Sequence, residues 1–342
     1  MNTQLLPQYS HTVGFLANTG RGFNNPVDVA LDSQGILYVL NRAGPEVPIR
    51  MPYKRVSICT VDEEYLGEFG TGGMESGQFW WPSSLAFDSQ DRLYVADEAL
   101  QRISVFSKEG EFLGQWGEAG SMDGQLNRPS YIVFDGEDNL LVSDSLNHRV
   151  QRFTKDGRFL SKWGAPGKGP GQFDHPWGIS LGGQGDVYVS DWRNDRVQKF
   201  SPSGEFLAQW GEPGDGEGQL NRPSGLAVDA TGNIYIADWG NERVQVFSSD
   251  GKPMSTLRGE SVDSTWAADY FAANPSEGNA RKEANLEPKI APRPDRGWEQ
   301  RREESANVEN LFWGPTAVKL DNQGRIYIVD SLRHRLQIYR WA

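Results

Sequence analysis

Hydrophobic residues in this chain come in short bursts rather than long stripes. Leu226-Ala227-Val228-Asp229, Ile234-Tyr235-Ile236-Ala237 and Arg243-Val244-Gln245-Val246-Phe247 are rich in β-branched and aromatic side chains, and the last alternates apolar with polar. Such runs predict half-buried β-strands. Between them stand Ala230-Thr231-Gly232-Asn233 and Ser248-Ser249-Asp250-Gly251, turn sequences in which Gly supplies a positive φ at little cost. Related copies begin at Pro26, Pro82, Pro129, Pro176 and Pro315, and the starts from Pro82 to Pro223 are 47 residues apart. A fourth strand follows in the central copies, as in Glu111-Phe112-Leu113-Gly114-Gln115-Trp116-Gly117. Six copies of four antiparallel strands predict an all-β, six-bladed β-propeller, because one copy cannot bury both its faces alone.

The sixth copy runs out at Trp341-Ala342 after its third strand, while His11-Thr12-Val13-Gly14-Phe15-Leu16 resembles a fourth strand near the start. The N-terminal strand is therefore expected to complete blade six and close the ring, which removes two exposed sheet edges. Residues 1–342 then form a single domain. Gaps of 56 residues from Pro26 to Pro82 and 92 from Pro223 to Pro315 mark two excursions. The first swells the loop from Arg42 to Pro52. The second, residues 259–310, opens with a short helix capped by Asp263 that carries Trp266, Tyr270 and Phe271 and stops at Asn274-Pro275. From Ser276 to Glu304, with Pro288, Pro292 and Pro294, the segment is charged and expected to be an extended arm over the channel mouth. Because blade six touches blade one, the two excursions are expected to meet on one rim.

The pattern of Pro, a small residue, Gly-Leu-Ala-Val-Asp, Gly-Asn-Ile-Tyr, Asp, Asn and Arg-Val-Gln-Val-Phe, as it stands from Pro223 to Phe247, resembles the NHL repeat. That resemblance implies the six-bladed fold. It implies no single function, since similar proteins include RNA- and protein-binding modules, amidating lyases and cell-surface scaffolds.

Composition narrows the classes. A formal charge of −12 opposes attraction to a phosphate backbone, so nucleic acid is not the expected partner. The lone cysteine, Cys59, rules out an internal disulfide and reads as a small core residue. No apolar stretch approaches membrane-spanning length, and Met1 to Tyr9 shows no leader pattern, so the expected compartment is the cytoplasm.

Recurrence within the chain separates scaffold from site. Asp97, Asp144, Asp191, Asp238 and Asp330 end each second strand, and Arg102, Arg149, Arg196, Arg243 and Arg335 open each third. Five repetitions point to a structural carboxylate–guanidinium pair. Trp116, Trp163 and Trp210 recur in fourth strands and are expected between blades. The irregular rim residues are the candidates for binding. Tyr131, Trp177, Trp192 and Trp239 would present aromatic surface, with Arg42, Glu98, Arg193 and Arg333 orienting polar groups of a protein segment or small molecule. The alternative is a lyase or hydrolase at the channel mouth using Asp28, His148 or His334 as acid or base. The resemblance brings zinc or calcium in the channel into view. No His follows the Pro of any inner strand, however, and Asp28 is the one carboxylate among the two positions after each Pro, so no cofactor is expected and no metal ligand set is assigned.

Overall fold

The structure is a computed structural model that describes residues 6–44, 48–291 and 296–341. Six four-stranded antiparallel sheets form the blades, and each innermost strand begins at the repeat's Pro: Pro26–Leu31, Pro82–Phe87, Pro129–Phe134, Pro176–Leu181, Pro223–Val228 and Pro315–Leu320. Each of these strands contacts the next around the axis, and the sixth contacts the first. The ring is closed. Blade six takes its outer strand from the N-terminus, but that strand is Pro7–Val13, paired with Arg335–Trp341, rather than the predicted residues 11–16.

The third strands depart from simple alternation. Every residue of Arg243–Phe247 is buried, Gln245 included, because neighbouring blades cover both faces of each middle strand. Polar side chains inside must then find partners. The core is correspondingly divided into six apolar clusters, one per seam between blades. Cys59 lies in the seam of blades six and one, fully buried, where burial pushes its thiol up to about 12. The fourth-strand tryptophans pack across seams as expected. A Cβ on Gly157 would come within 2.6 Å of the Trp116 ring, so the turn of the next blade needs glycine both for its φ of +84° and for the indole.

The long excursion is a closed loop, since Phe312 N–H donates to Arg258 O at 2.6 Å where it leaves and rejoins the propeller. Its described residues include three α-helices, α1 (Thr265–Ala273), α2 (Pro275–Glu283) and α3 (Trp298–Asn307). The cap of α1 is Ser264, one residue beyond the predicted Asp263, with Ala267 N–H donating to its hydroxyl at 3.1 Å. About half of the expected extended arm is helix, in α2 and α3: its Glu, Arg, Lys and Ala residues are good helix formers even without an apolar face. Pro292 and Pro294 lie outside the described residues, as do Pro45 to Val47 of the first excursion. Trp266 anchors α1, with its ring 6.0 Å from Phe23 and 6.5 Å from Tyr65 and its indole N–H on Glu63 O at 2.5 Å. Among the described residues, no helix is long and apolar enough to cross a membrane.

Candidate functional site

The connections between second and third strands and the loops leading to each inner strand share one rim. Two sets of bonds build it. The residue two before each Pro donates its N–H to the residue ending strand two: Asn24 to Asn41 at 2.7 Å, Asn127 to Asp144 at 2.6 Å, Asp174 to Asp191, Asn221 to Asp238 and Trp313 to Asp330 at 2.7 Å each. In blades three to six that carboxylate also accepts the Nε of the repeat arginine at 2.7–2.9 Å. Blade two differs, for Asp97 accepts four amides of its own rim and Arg102 Nε is left without a partner.

The second set was not read from the sequence. The residue before each repeat arginine sits in the left-handed region, and its side chain accepts the N–H just before the next blade's Pro. Gln101 takes Arg128 N–H at 2.6 Å, Asp195 takes Arg222 at 2.7 Å, Glu242 takes Gly314, and His334 takes Asn25 at 2.9 Å. His148 stands in the same place opposite His175 N–H, but at 3.5 Å. His334 is thus one of a row of blade-to-blade latches in which Gln, Asp and Glu serve equally well.

The other predicted residues separate into three groups. Asp28 and Tyr131 meet inside the channel instead of at its mouth. The Tyr131 hydroxyl donates to Asp28 Oδ1 at 3.0 Å, Ser84 Oγ and Leu85 N–H donate to Oδ2 at 2.7 and 3.1 Å, and the Lys319 ammonium lies 3.4 Å from Oδ1. Lys319 also sits 4.6 Å over the Tyr131 ring. Burial holds the phenol well above its ordinary range, with the neighbouring Asp28 adding to the shift. Facing Tyr131, Gly178 and Gly225 let inner strands approach so closely that a Cβ on Gly225 would lie 2.6 Å from Ala317 Cα. A tyrosine plug and collapsed far wall fill the axis. Asp28, with no exposed surface and every contact satisfied, is therefore not placed to meet a substrate at the mouth. An ammonium beside the channel's carboxylate also does not fit a bound zinc or calcium there.

Arg42, Glu98 and Arg333 are held in place by the protein. Arg42 pairs with Glu98 at 2.8 Å, donates to Pro82 O and lies 4.9 Å over Trp81, so it ties blade one to blade two. Burial pushes the Glu98 carboxyl up, and Arg42 pulls it back. Arg333 bonds Glu309 at 2.6 Å and the carbonyls of Ser305 and Val308, which clamps the end of α3.

The third group stays on the surface. Trp177, Trp192 and Trp239 form a row with ring centres 6.0 and 6.4 Å apart, and α3 extends it by placing Trp298 6.4 Å from Trp239. Arg222 lies between Trp192 and Trp298, 5.0 Å from each, and Arg302 lies 4.6 Å over Trp239. Arg193 is exposed, 5.9 Å over Trp192. Glu242 fixes α3 to this row through Arg302 at 3.0 Å. Burial raises the Glu242 carboxyl to about 7, against the pull of the Gly314 amide and Arg302. Sequence reasoning missed Trp298, Arg302 and Arg222 as partners because they come from a helix and a loop far apart along the chain.

The first excursion reaches the same rim at Pro48–Tyr53, and a cavity of about 440 Å³ lies between Tyr53 on one side and Trp313, Leu332 and His334 on the other. The described lining of this cavity includes Tyr53 next to the first excursion and no residue of 259–310.

The NHL repeat profile matches residues 173–200, 220–247 and 312–339. The chain carries NHL repeats. The matched segments are blades four, five and six, each with its repeat carboxylate and arginine, and the Trp192–Trp239 row spans the first two. No curated protein sequence matches the chain. Among solved structures, the NHL propeller is similar to virginiamycin B lyase from Staphylococcus aureus, with 12% identity, a TM-score of 0.57 and coverage of 99% of this chain and 100% of that one. It is also similar to a gluconolactonase from Xanthomonas campestris, with 14% identity, a TM-score of 0.56 and the same coverages. A Bacteroides thetaiotaomicron protein of unknown function gives 18% identity and a TM-score of 0.61 over 98% of this chain and 76% of that one. At such identities the likeness is one of fold.

Proposed function

We propose that this NHL propeller is a binding protein that grips an extended protein segment on the rim bearing Trp177, Trp192, Trp239 and Trp298. The observation that carries the reading is the continuous row of half-exposed indoles interleaved with Arg222 and Arg302. Aromatic and arginine side chains dominate binding energy at protein interfaces, because each offers large area at low entropic cost. The plugged channel supports the same reading by leaving the rim as the accessible irregular surface.

A peptide library selected on the intact protein tests it. Selected peptides are expected to bind the wild type and to lose at least about thirtyfold in affinity when Trp192 and Trp239 are both changed to Ala, the weight of one interface hot spot. Peptides that bind the folded double variant equally well, or a selection that enriches none, would sink the proposal.

A second reading, a lyase or hydrolase at the same rim, is favoured by the convergence of His148 with Asp174 and His175. In that reading His148 keeps the acid–base role, while Asp28 holds the Tyr131 plug and His334 serves as a latch. Turnover of lactone or ester substrates that falls in a His148→Gln variant would support it.

A further inference from the structure

The repeats provide an internal standard against which blade four stands out. Two residues before the inner-strand Pro, blades one, three and five carry Asn24, Asn127 and Asn221, blades two and six carry Trp80 and Trp313, and blade four carries Asp174. Immediately before the Pro stand Asn25, Trp81, Arg128, Arg222 and Gly314, with His175 in blade four. At the latch position facing it, blade three carries His148. The two departures of blade four and this latch histidine are brought to one point. One ligand atom from each of His148, Asp174 and His175 lies within 4.8 Å of the others, all three side chains are partly exposed, and the set includes His175 Nδ1 at 2.6 Å and His148 Nδ1 at 4.0 Å from Asp174 Oδ1.

Two further observations concern how these groups are held. The His148 latch is stretched to 3.5 Å where the blade-two, blade-four and blade-six latches measure 2.6, 2.7 and 2.9 Å, so its Nδ1 lone pair is only weakly engaged. Asp174 replaces the amide found in three other blades: its backbone N–H is donated to Asp191 at 2.7 Å, and its side-chain carboxylate is turned to His175 Nδ1 at 2.6 Å. His334 takes Asn25 N–H at 2.9 Å, and the residue two before that blade's Pro is the amide Asn24.

We infer that His148, Asp174 and His175 form a binding site for a divalent first-row transition metal ion, Zn²⁺ in the simplest case, at the seam of blades three and four. Two imidazoles and a carboxylate suit Zn²⁺, Ni²⁺ or Cu²⁺ better than Mg²⁺ or Ca²⁺, and three protein ligands leave a coordination position open to the rim. Ligand atoms around tetrahedral zinc sit about 3.3 Å apart, so drawing this set together needs only side-chain rotation. The aromatic row lies beside the site, with the Trp192 ring 6.5 Å from His175.

The test uses the intact, tag-free chain, metal analysis and titration with Zn²⁺ and with Co²⁺, whose visible absorption reports imidazole ligation. His148→Gln and Asp174→Asn install residues that the repeat already uses in other blades, so the fold is expected to persist. One equivalent of metal should bind, and each variant should weaken it by at least about tenfold, the lower bound for losing even an outer-sphere partner. His334→Gln should leave the affinity unchanged. A folded wild type that binds neither ion at millimolar concentration, or binding indifferent to both variants, overturns the site and leaves only a His175–Asp174 ion pair. Peptide binding at the tryptophan row is a separate readout, so either proposal can fail alone.

Discussion

Replacing Asp238 with Ala should destabilise the propeller severely without touching its exposed surface. Asp238 is fully buried and accepts Asn221 N–H at 2.7 Å, Asn241 Nδ2 at 2.8 Å, Arg243 Nε at 2.7 Å and Gln245 Nε2 at 3.2 Å. Four donors lose their acceptor at once. The decisive one is Arg243, whose buried guanidinium keeps carbonyl partners on Asp215, Gly216 and Gln219 but loses its counter-charge. Leaving one half of a buried ion pair costs about 3–5 kcal/mol, and each orphaned neutral donor adds about 1 kcal/mol where water cannot reach it. Relaxation and solvent entry offset part of the total, so about 4 kcal/mol is expected, a large share of the stability of an ordinary domain. Urea unfolding followed by far-UV circular dichroism measures it, with a lowered midpoint and an unchanged slope. Asp238→Asn, which keeps two acceptor lone pairs, should lose less than Ala. A cost below about 1 kcal/mol for the Ala variant would refute the view that the repeated carboxylate holds the rim together.

Two further outcomes follow from the same geometry. The Glu242 carboxyl lies at about 7 in the folded protein against 4.5 for the ordinary group, so between those values the native state holds a proton that the unfolded chain has released. Its contribution to stability is therefore present at low pH and falls as pH rises, by roughly 3 kcal/mol once pH exceeds 7. Glu242→Gln should flatten that part of the stability–pH profile, and an unaltered profile would contradict the assignment. Gly225→Ala places a methyl 2.6 Å from Ala317 Cα and 2.7 Å from Thr316 O, backbone that cannot step aside, and should lower stability by about 1–3 kcal/mol. Gly183→Ala, which meets nothing within 4 Å, is the neutral control in the same thermal-melt series.

Much of the architecture was legible because it is written six times. Period-two strands, Gly-bearing turns and the 47-residue spacing are local features, and their repetition averages out the ambiguity of any single strand. The Asp–Arg pairs were readable for the same reason, since five recurrences mark scaffold whatever the exact bond. The helices α2 and α3 were not, because charged residues without an apolar stripe give no periodicity to detect, and the long loop supplies only composition.

The candidate surface shows where local reading stops. From its own residues the chain determined six blades, closure by the N-terminal strand, a rim carrying irregular aromatics and a buried, inert cysteine. Only the tertiary structure decided that Tyr131 plugs the axis on Asp28, that Arg42 spends its charge on Glu98, that Trp298 extends the Trp177–Trp192–Trp239 row, and that His148 meets Asp174 and His175 across a seam. The physical reason is range. Strand and turn preferences act over a few residues, whereas burial, charge pairing and ring stacking join side chains that the stacking of blades brings together from positions tens of residues apart.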